Sequence, residues 1–224
     1  RFDGQAVTCD DFVDCMAEAS GRDLAQFRRW YAQAGTPEVI ASGHYDQAAE
    51  QYHLTLKQLN RPTPGQTDKA PLPIPVATVL LVDGKPIPLD SGTTRILELS
   101  EPEQTFTFDG VVARPVASLL RGFSAPVRLT ADQSESDLLT LMSGDDDDFV
   151  AWDAAQSLLA RAIEALDLTG QEAKIHNALL EAIERVLTGP MDAAMKALTL
   201  CLPSEEYLAD RAAQRGLVDM TDIH

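Results

Sequence analysis

"PIPVATVLLVDGKPIPL", residues 73–89, is the stretch on which the fold turns. An apolar run from Ile74 to Val82 stops at Asp83-Gly84, and a second short run follows at once. Asp-Gly tolerates the positive φ that a two-residue hairpin turn demands, so the stretch predicts two antiparallel strands. The pattern extends in both directions. Tyr52, Leu54 and Leu56 alternate with His53, Thr55 and Lys57, a period of two. Residues 93–110, "TTRILELSEPEQTFTFDG", repeat the plan with Leu97 and Leu99, then Phe106 and Phe108. "APVRLTA", residues 125–131, supplies a last strand. Roughly seven short strands punctuated by Pro and Gly predict an antiparallel β-sandwich of immunoglobulin-like type. "NRPTPGQTDKAPLP", residues 60–73, is a loop within it, because strands flank it closely.

Helical patterns lie on either side. Thr8 followed by Asp11 reads as a capping box, with Asp in place of the usual Glu. Phe12, Cys15, Met16 and Ala19 then recur at helical spacing, and Gly21 is a stop. A second helix is expected from Asp23, with Leu24, Phe27, Trp30, Tyr31 and Ala34 on its apolar side, ended by Gly35 and Pro37. Past Asp132, Phe149, Trp152, Leu159, Ile163 and Leu166 mark one stripe, and Ile175, Leu179, Ile183, Val186 and Leu187 the next. Gly189-Pro190 separates that helix from one over residues 191–202. The expected class is α+β in three parts: a short helical segment at 1–35, a sandwich at 36–131 and α-helical hairpins at 132–224.

Charge narrows the partners. Acidic residues number 35 against 18 basic, a net charge of −17. Such a chain repels phosphate backbones and anionic bilayers, so neither nucleic acid nor membrane is an expected partner. No apolar run approaches the length of about 18 residues that spanning requires. Cys9, Cys15 and Cys201 form neither a CxxC unit nor an even set, which fits a reducing cytoplasm. Arg1 stands where a methionine would, so the chain reads as a piece of a longer polypeptide.

The chemistry-bearing motifs are few. "SGDDDDFVAWDAAQ", residues 143–156, holds four successive aspartates, Asp145 to Asp148. Neighbours on a helix point about 100° apart and cannot converge on one ion. Calcium loops alternate their ligands around a turn glycine, and here Gly144 precedes the run. A helix N-terminus, in contrast, favours acid by roughly 0.3–1 kcal/mol per exposed charge, so the run reads as a helix start. His44, His53, His176 and His224 include no HExxH and no helical i+4 pair, and His53 is expected to face solvent. No GxSxG occurs, and "SGTT", residues 91–94, lacks a P-loop lysine. Cys15 is expected as a buried, inert thiol. No catalytic, cofactor-binding or metal-ligating residue is therefore assigned.

Two stretches carry a resemblance. Residues 8–39, "TCDDFVDCMAEASGRDLAQFRRWYAQAGTPEV", and residues 123–159, "FSAPVRLTADQSESDLLTLMSGDDDDFVAWDAAQSLL", together resemble the bacterial aminopeptidase N branch of the M1 family of zinc metallopeptidases. RRWYxQxGTP and DxFxxWDAAQ carry it, with the strands "QYHLTLKQ", "PLPIPVATVLL" and "EQTFTFDG" in the same order between them. The likeness weakens after about residue 188. It implies a parent of four parts, which hydrolyses N-terminal residues from peptides with zinc polarising the carbonyl and a glutamate as base. It also implies that this chain holds the last catalytic-domain helices, the whole sandwich and the first helices of the C-terminal domain. HExxH and the amino-group-holding GxMEN motif are not in this sequence, so no functional residue carries over. Zinc is thus expected in the parent and no cofactor in this piece, which is expected to be inactive alone and to space its neighbours. In the family pattern only the acid before Phe149 belongs, so Asp145 to Asp147 read as surface decoration. Trp152 is the expected anchor at the sandwich–helix junction, where a buried aromatic cut to alanine costs about 3–5 kcal/mol. The stripes at Phe27 and Trp30, and at Leu198 and Leu202, predict self-association. A stand-alone sandwich that binds partners is the rival reading; its mark would be an exposed aromatic row, and aromatics are only 6% of the chain.

Overall fold

The computed structural model describes residues 2–89, 92–169 and 177–214. Helix α1 spans Cys9–Ser20 and α2 spans Arg29–Ala32. Eight strands follow: β1 Glu38–Asp46, β2 Gln51–Leu59, β3 Ile74–Val82, β4 Lys85–Pro86, β5 Arg95–Leu99, β6 Glu103–Asp109, β7 Val116–Leu119 and β8 Arg128–Ala131. The remaining helices are α3 Glu135–Gly144, α4 Asp148–Thr169, α5 Asn177–Thr188, α6 Ala193–Leu200 and α7 Glu205–Gln214. One sheet runs β6-β2-β1-β8; the other runs β4-β3-β5, with β7 also paired to β3. β1 and β8 are parallel, so the first sheet is mixed where an antiparallel set was expected.

The hairpin forms as read. Asp83 and Gly84 take φ of 51° and 70°, the two positive angles of a type I′ turn. Its return arm, β4, is two residues long, because Pro86 and Pro88 cannot donate to a ladder. Ile87 N–H still reaches Leu80 O at 3.0 Å.

The chain divides into two compact units. The first comprises Arg1–Val76, Ile96–Gly110 and Ser124–Asp132. Its core is built by the alternation seen in the sequence: Val39, Ala41, Leu54, Leu56, Leu97, Leu99 and Phe108 are buried. Gly43 is required where it stands. A Cβ there would lie 2.0 Å from Tyr52 Oη and 2.7 Å from Cζ, so the buried tyrosine ring occupies the space a side chain would need. The second unit comprises Ala77–Arg95, Val111–Phe123 and Gln133–His224. There Val79 and Leu81 of β3 pack with Leu138, Leu141 and Met142 of α3, Val150, Ala154 and Leu158 of α4, and Leu179, Ala182 and Val186 of α5.

Three helical expectations need correction. The capping box of α1 is present, with Thr8 Oγ1 accepting from Asp11 N–H and Asp11 Oδ2 from Thr8 N–H. Yet only Val13 of α1 is buried; Phe12 and Met16 are exposed and Cys15 is half-buried, so that thiol is not a core group. The second helix shrinks to the four residues of α2. Its expected members bond elsewhere: Gln26 and Arg29 donate to Pro71 O, Trp30 Nε1 to Pro73 O, and Gln33 Nε2 to Ala70 O. These anchors to the proline-rich loop replace the turns a longer helix would make. On α4 the buried face is Val150, Ala151, Ala154, Ala155, Leu158 and Ala160, and the expected stripe of Phe149, Trp152, Leu159 and Ile163 is only half-buried beside it. Ile175 lies outside the described residues, as do the side-chain surroundings of Leu166.

Candidate functional site

The aspartate run forms a corner of the second unit. α3 ends at Asp145, whose N–H bonds Leu141 O at 3.2 Å, and α4 starts at Asp148. The four carboxylates have separate tasks. Asp145 turns inward with a fully buried side chain and accepts from Arg121 Nη1 at 2.5 Å. Asp146 takes the other arm of the same guanidinium and stays mostly in solvent. Asp147 caps α4, accepting from Val150 N–H at 3.1 Å, while its second oxygen accepts from Gly122 N–H at 2.8 Å. Asp148 sits in the first turn of α4, at the positive end of the dipole. The helix-start reading therefore describes Asp147 and Asp148. Reading Asp145 and Asp147 as surface decoration is wrong: Asp147 is a cap with both oxygens bonded, and Asp145 is the most enclosed of the four, because its partner comes from the turn after β7.

The electrostatics follow. Burial pushes the Asp145 carboxyl above the usual carboxylate range, against the pull of Ser118, the Asp147 N–H and Arg121. Arg121 is itself largely buried and also donates to Ser118 Oγ at 3.1 Å. The Arg121 hydrogen bond holds Asp146 below its ordinary value. A second pair lies nearby in the chain: Arg114 grips Asp137 with both arms, at 2.8 and 2.9 Å, and holds that carboxyl low. Asp137 also closes a capping box with Ser134 at the start of α3. Aromatic contacts extend the corner: Phe123 meets Phe149 edge-on at 5.3 Å, and Phe149 meets Trp152 at 5.9 Å. Trp152 is half-buried, which corrects its expected place as the anchor. Arg121 and Asp145 hold that place, and a pair 24 residues apart left no local signal in the sequence.

The other singled-out residues do not converge. His44 and His53 sit opposite each other on β1 and β2, rings 6.3 Å apart and nearly parallel, and His53 Nδ1 lies 3.0 Å from Thr107 Oγ1. His176, His224 and Ser91 of "SGTT" lie outside the described residues. Cys9 and Cys201 are exposed and free. Among the described residues no three His, Cys, Asp or Glu side chains group as a metal centre. In the first unit a cavity of about 650 Å³ opens among Phe27, Trp30, Tyr31, Pro73 and Pro126, with an Arg22–Glu98 ion pair of 2.7 Å on its lining. What this arrangement offers chemically is fixation: paired charges, capped helix ends and packed rings that set one element against another.

Two sequence families divide the chain. A domain of unknown function (DUF3458) with an Ig-like fold matches residues 35–132, and its companion (DUF3458_C), described as ARM repeats, matches residues 135–224. Aminopeptidase N of Escherichia coli (strain K12) is 44% identical over 218 residues, which cover 94% of this chain and 25% of that protein. The chain is homologous to bacterial aminopeptidase N. Aminopeptidase N of Caulobacter vibrioides is 45% identical over 93% of the chain, and that of Haemophilus influenzae 38% identical over 93%. The crystal structure of Legionella pneumophila aminopeptidase A in complex with aspartic acid superposes with a TM-score of 0.83 at 29% identity, covering 98% of this chain and 24% of that one. The chain thus spans about a quarter of the aminopeptidases it matches. Its Ig-like and helical parts correspond to non-catalytic portions of aminopeptidase N, and the Arg121–Asp145 pair joins a residue from the first matched stretch to one from the second.

Proposed function

We propose that this chain is the spacer portion of a cytoplasmic M1-type zinc aminopeptidase, of the alanyl aminopeptidase type, that removes N-terminal residues from peptides. Residues 1–35 are the last helices of the catalytic domain, 36–131 the sandwich and 132–224 the opening of the C-terminal helical domain. The observation that carries the reading is the homology over 94% of the chain, together with a buried ion pair that fixes strand β7's exit to the α3–α4 corner. HExxH does not occur in this sequence, and no step of the parent's zinc chemistry is assigned to these residues. The contribution of this piece is to hold its flanking parts at a fixed separation. Three free cysteines support a reducing compartment, and among the described residues no helix is long and apolar enough to cross a membrane.

The full-length protein carrying this chain tests the parent's activity. It is expected to hydrolyse an aminoacyl-anilide, to lose that activity to a chelator and to regain it with zinc. A folded full-length protein inert on every aminoacyl-anilide tried would overturn the reading.

A further inference from the structure

A second cavity in the first unit, about 230 Å³, lies where the chain enters β1 and leaves β2. Its lining combines three cations, Arg61, Lys69 and Arg128, with one carboxylate, Glu38. In a chain of net charge −17 that local surplus of positive charge is unusual. Glu38 is already engaged. Arg61 Nε and Nη2 donate to its two oxygens at 2.8 and 2.9 Å, and Arg128 Nη1 stands 3.8 Å away. These neighbours hold Glu38 below the usual carboxylate range, the Arg61 hydrogen bond most of all.

Donors remain after that pairing. A guanidinium has five N–H groups and an ammonium three. Arg61 commits two to Glu38, and Lys69 commits one to Ala34 O at 2.6 Å. Among the described residues no hydrogen bond is made by the Arg128 guanidinium. Thr63 also lines the cavity, but its hydroxyl is sealed from solvent and offers a ligand nothing. Gly35, at φ +91°, leaves the room: a Cβ there would sit 3.3 Å from Thr63 Cγ2 and 3.5 Å from Lys69 Nζ. Surplus donors and one spent acceptor call for a ligand that brings acceptors and negative charge.

We propose that this pocket binds a small oxyanion, a phosphate or a carboxylate, held by the unspent donors of Arg128 and Lys69. Half of the Arg128 side chain is open to water, so binding is weak and salt-sensitive. The test is calorimetric titration of the protein with inorganic phosphate and, separately, with acetate, at one fixed ionic strength. Saturable 1:1 binding of either is expected, and the tighter of the two assigns the source. Arg128→Gln is expected to weaken it by about tenfold, the scale of one charge-assisted hydrogen bond. Lys69→Gln, which removes the second cation, is expected to weaken it by about threefold or more. Both variants should melt within a few degrees of the parent, since Arg128 is half-exposed and Lys69 makes one exposed bond, to Ala34 O. No saturable binding of either anion, or binding that both variants leave unchanged, would overturn the proposal.

Discussion

Arg121 is where a single side chain decides most. Its partner Asp145 is wholly buried, so removing the guanidinium leaves a carboxylate with no countercharge in a poor dielectric. Arg121→Met is expected to destabilise by about 3–5 kcal/mol, and adding Asp145→Asn should restore a large part of it. Thermal or urea melts of the two single variants and the double variant measure that coupling; additive losses would show that the pair does not act as a unit. Acid sensitivity belongs to other carboxyls. Arg114 depresses Asp137 and Arg61 depresses Glu38, so each contributes stability above its unfolded value that is lost as pH falls through its folded one. Asp145 is raised, so its contribution runs the opposite way, present at low pH and lost as pH rises through its folded value. Melting temperature should therefore fall from about pH 4 downward, and Asp137→Asn should flatten that fall. The sequence made two of the four aspartates legible, because capping is a local rule. Asp145 was not legible, because its meaning depends on a residue 24 positions away.

Elements divide along the same line. The Asp83-Gly84 hairpin and the alternation of β2 are short-range patterns, and both appear where they were read. Spacing predicts a long second helix because it does not reveal that Gln26, Arg29, Trp30 and Gln33 bond the loop at Ala70, Pro71 and Pro73. The buried face of α4 differs from the stripe of large side chains because alanines at 151, 154, 155 and 160 admit close packing. Trp152→Ala is accordingly expected to cost about 1–2 kcal/mol, less than the loss for a core aromatic, as a melt would record. On β1, Gly43→Ala forces a methyl into the Tyr52 ring and is expected to cost about 1–3 kcal/mol, read from the same melt. Asp147→Ala removes the cap of α4 and its bond to Gly122, a loss of about 1–2 kcal/mol.

At the scale of the molecule, apolar side chains on α1, on α6 and just past α6 meet water. Phe12 is 57% exposed, Leu198 54% and Leu202 71%. Faces of this kind associate, so sedimentation of the 224-residue chain should show dimers or larger species as concentration rises; a single monomeric species throughout would contradict it. The fold class was readable because strands, turns and caps are written locally. The proposed spacer role rests on resemblance, since a scaffold leaves no catalytic signature of its own. The most direct test of that role is an aminoacyl-anilide assay of the purified 224-residue chain with added zinc, alongside a melt confirming that it is folded. A cooperative melt with no turnover above background is the predicted result; turnover that zinc supports and a chelator abolishes would contradict it.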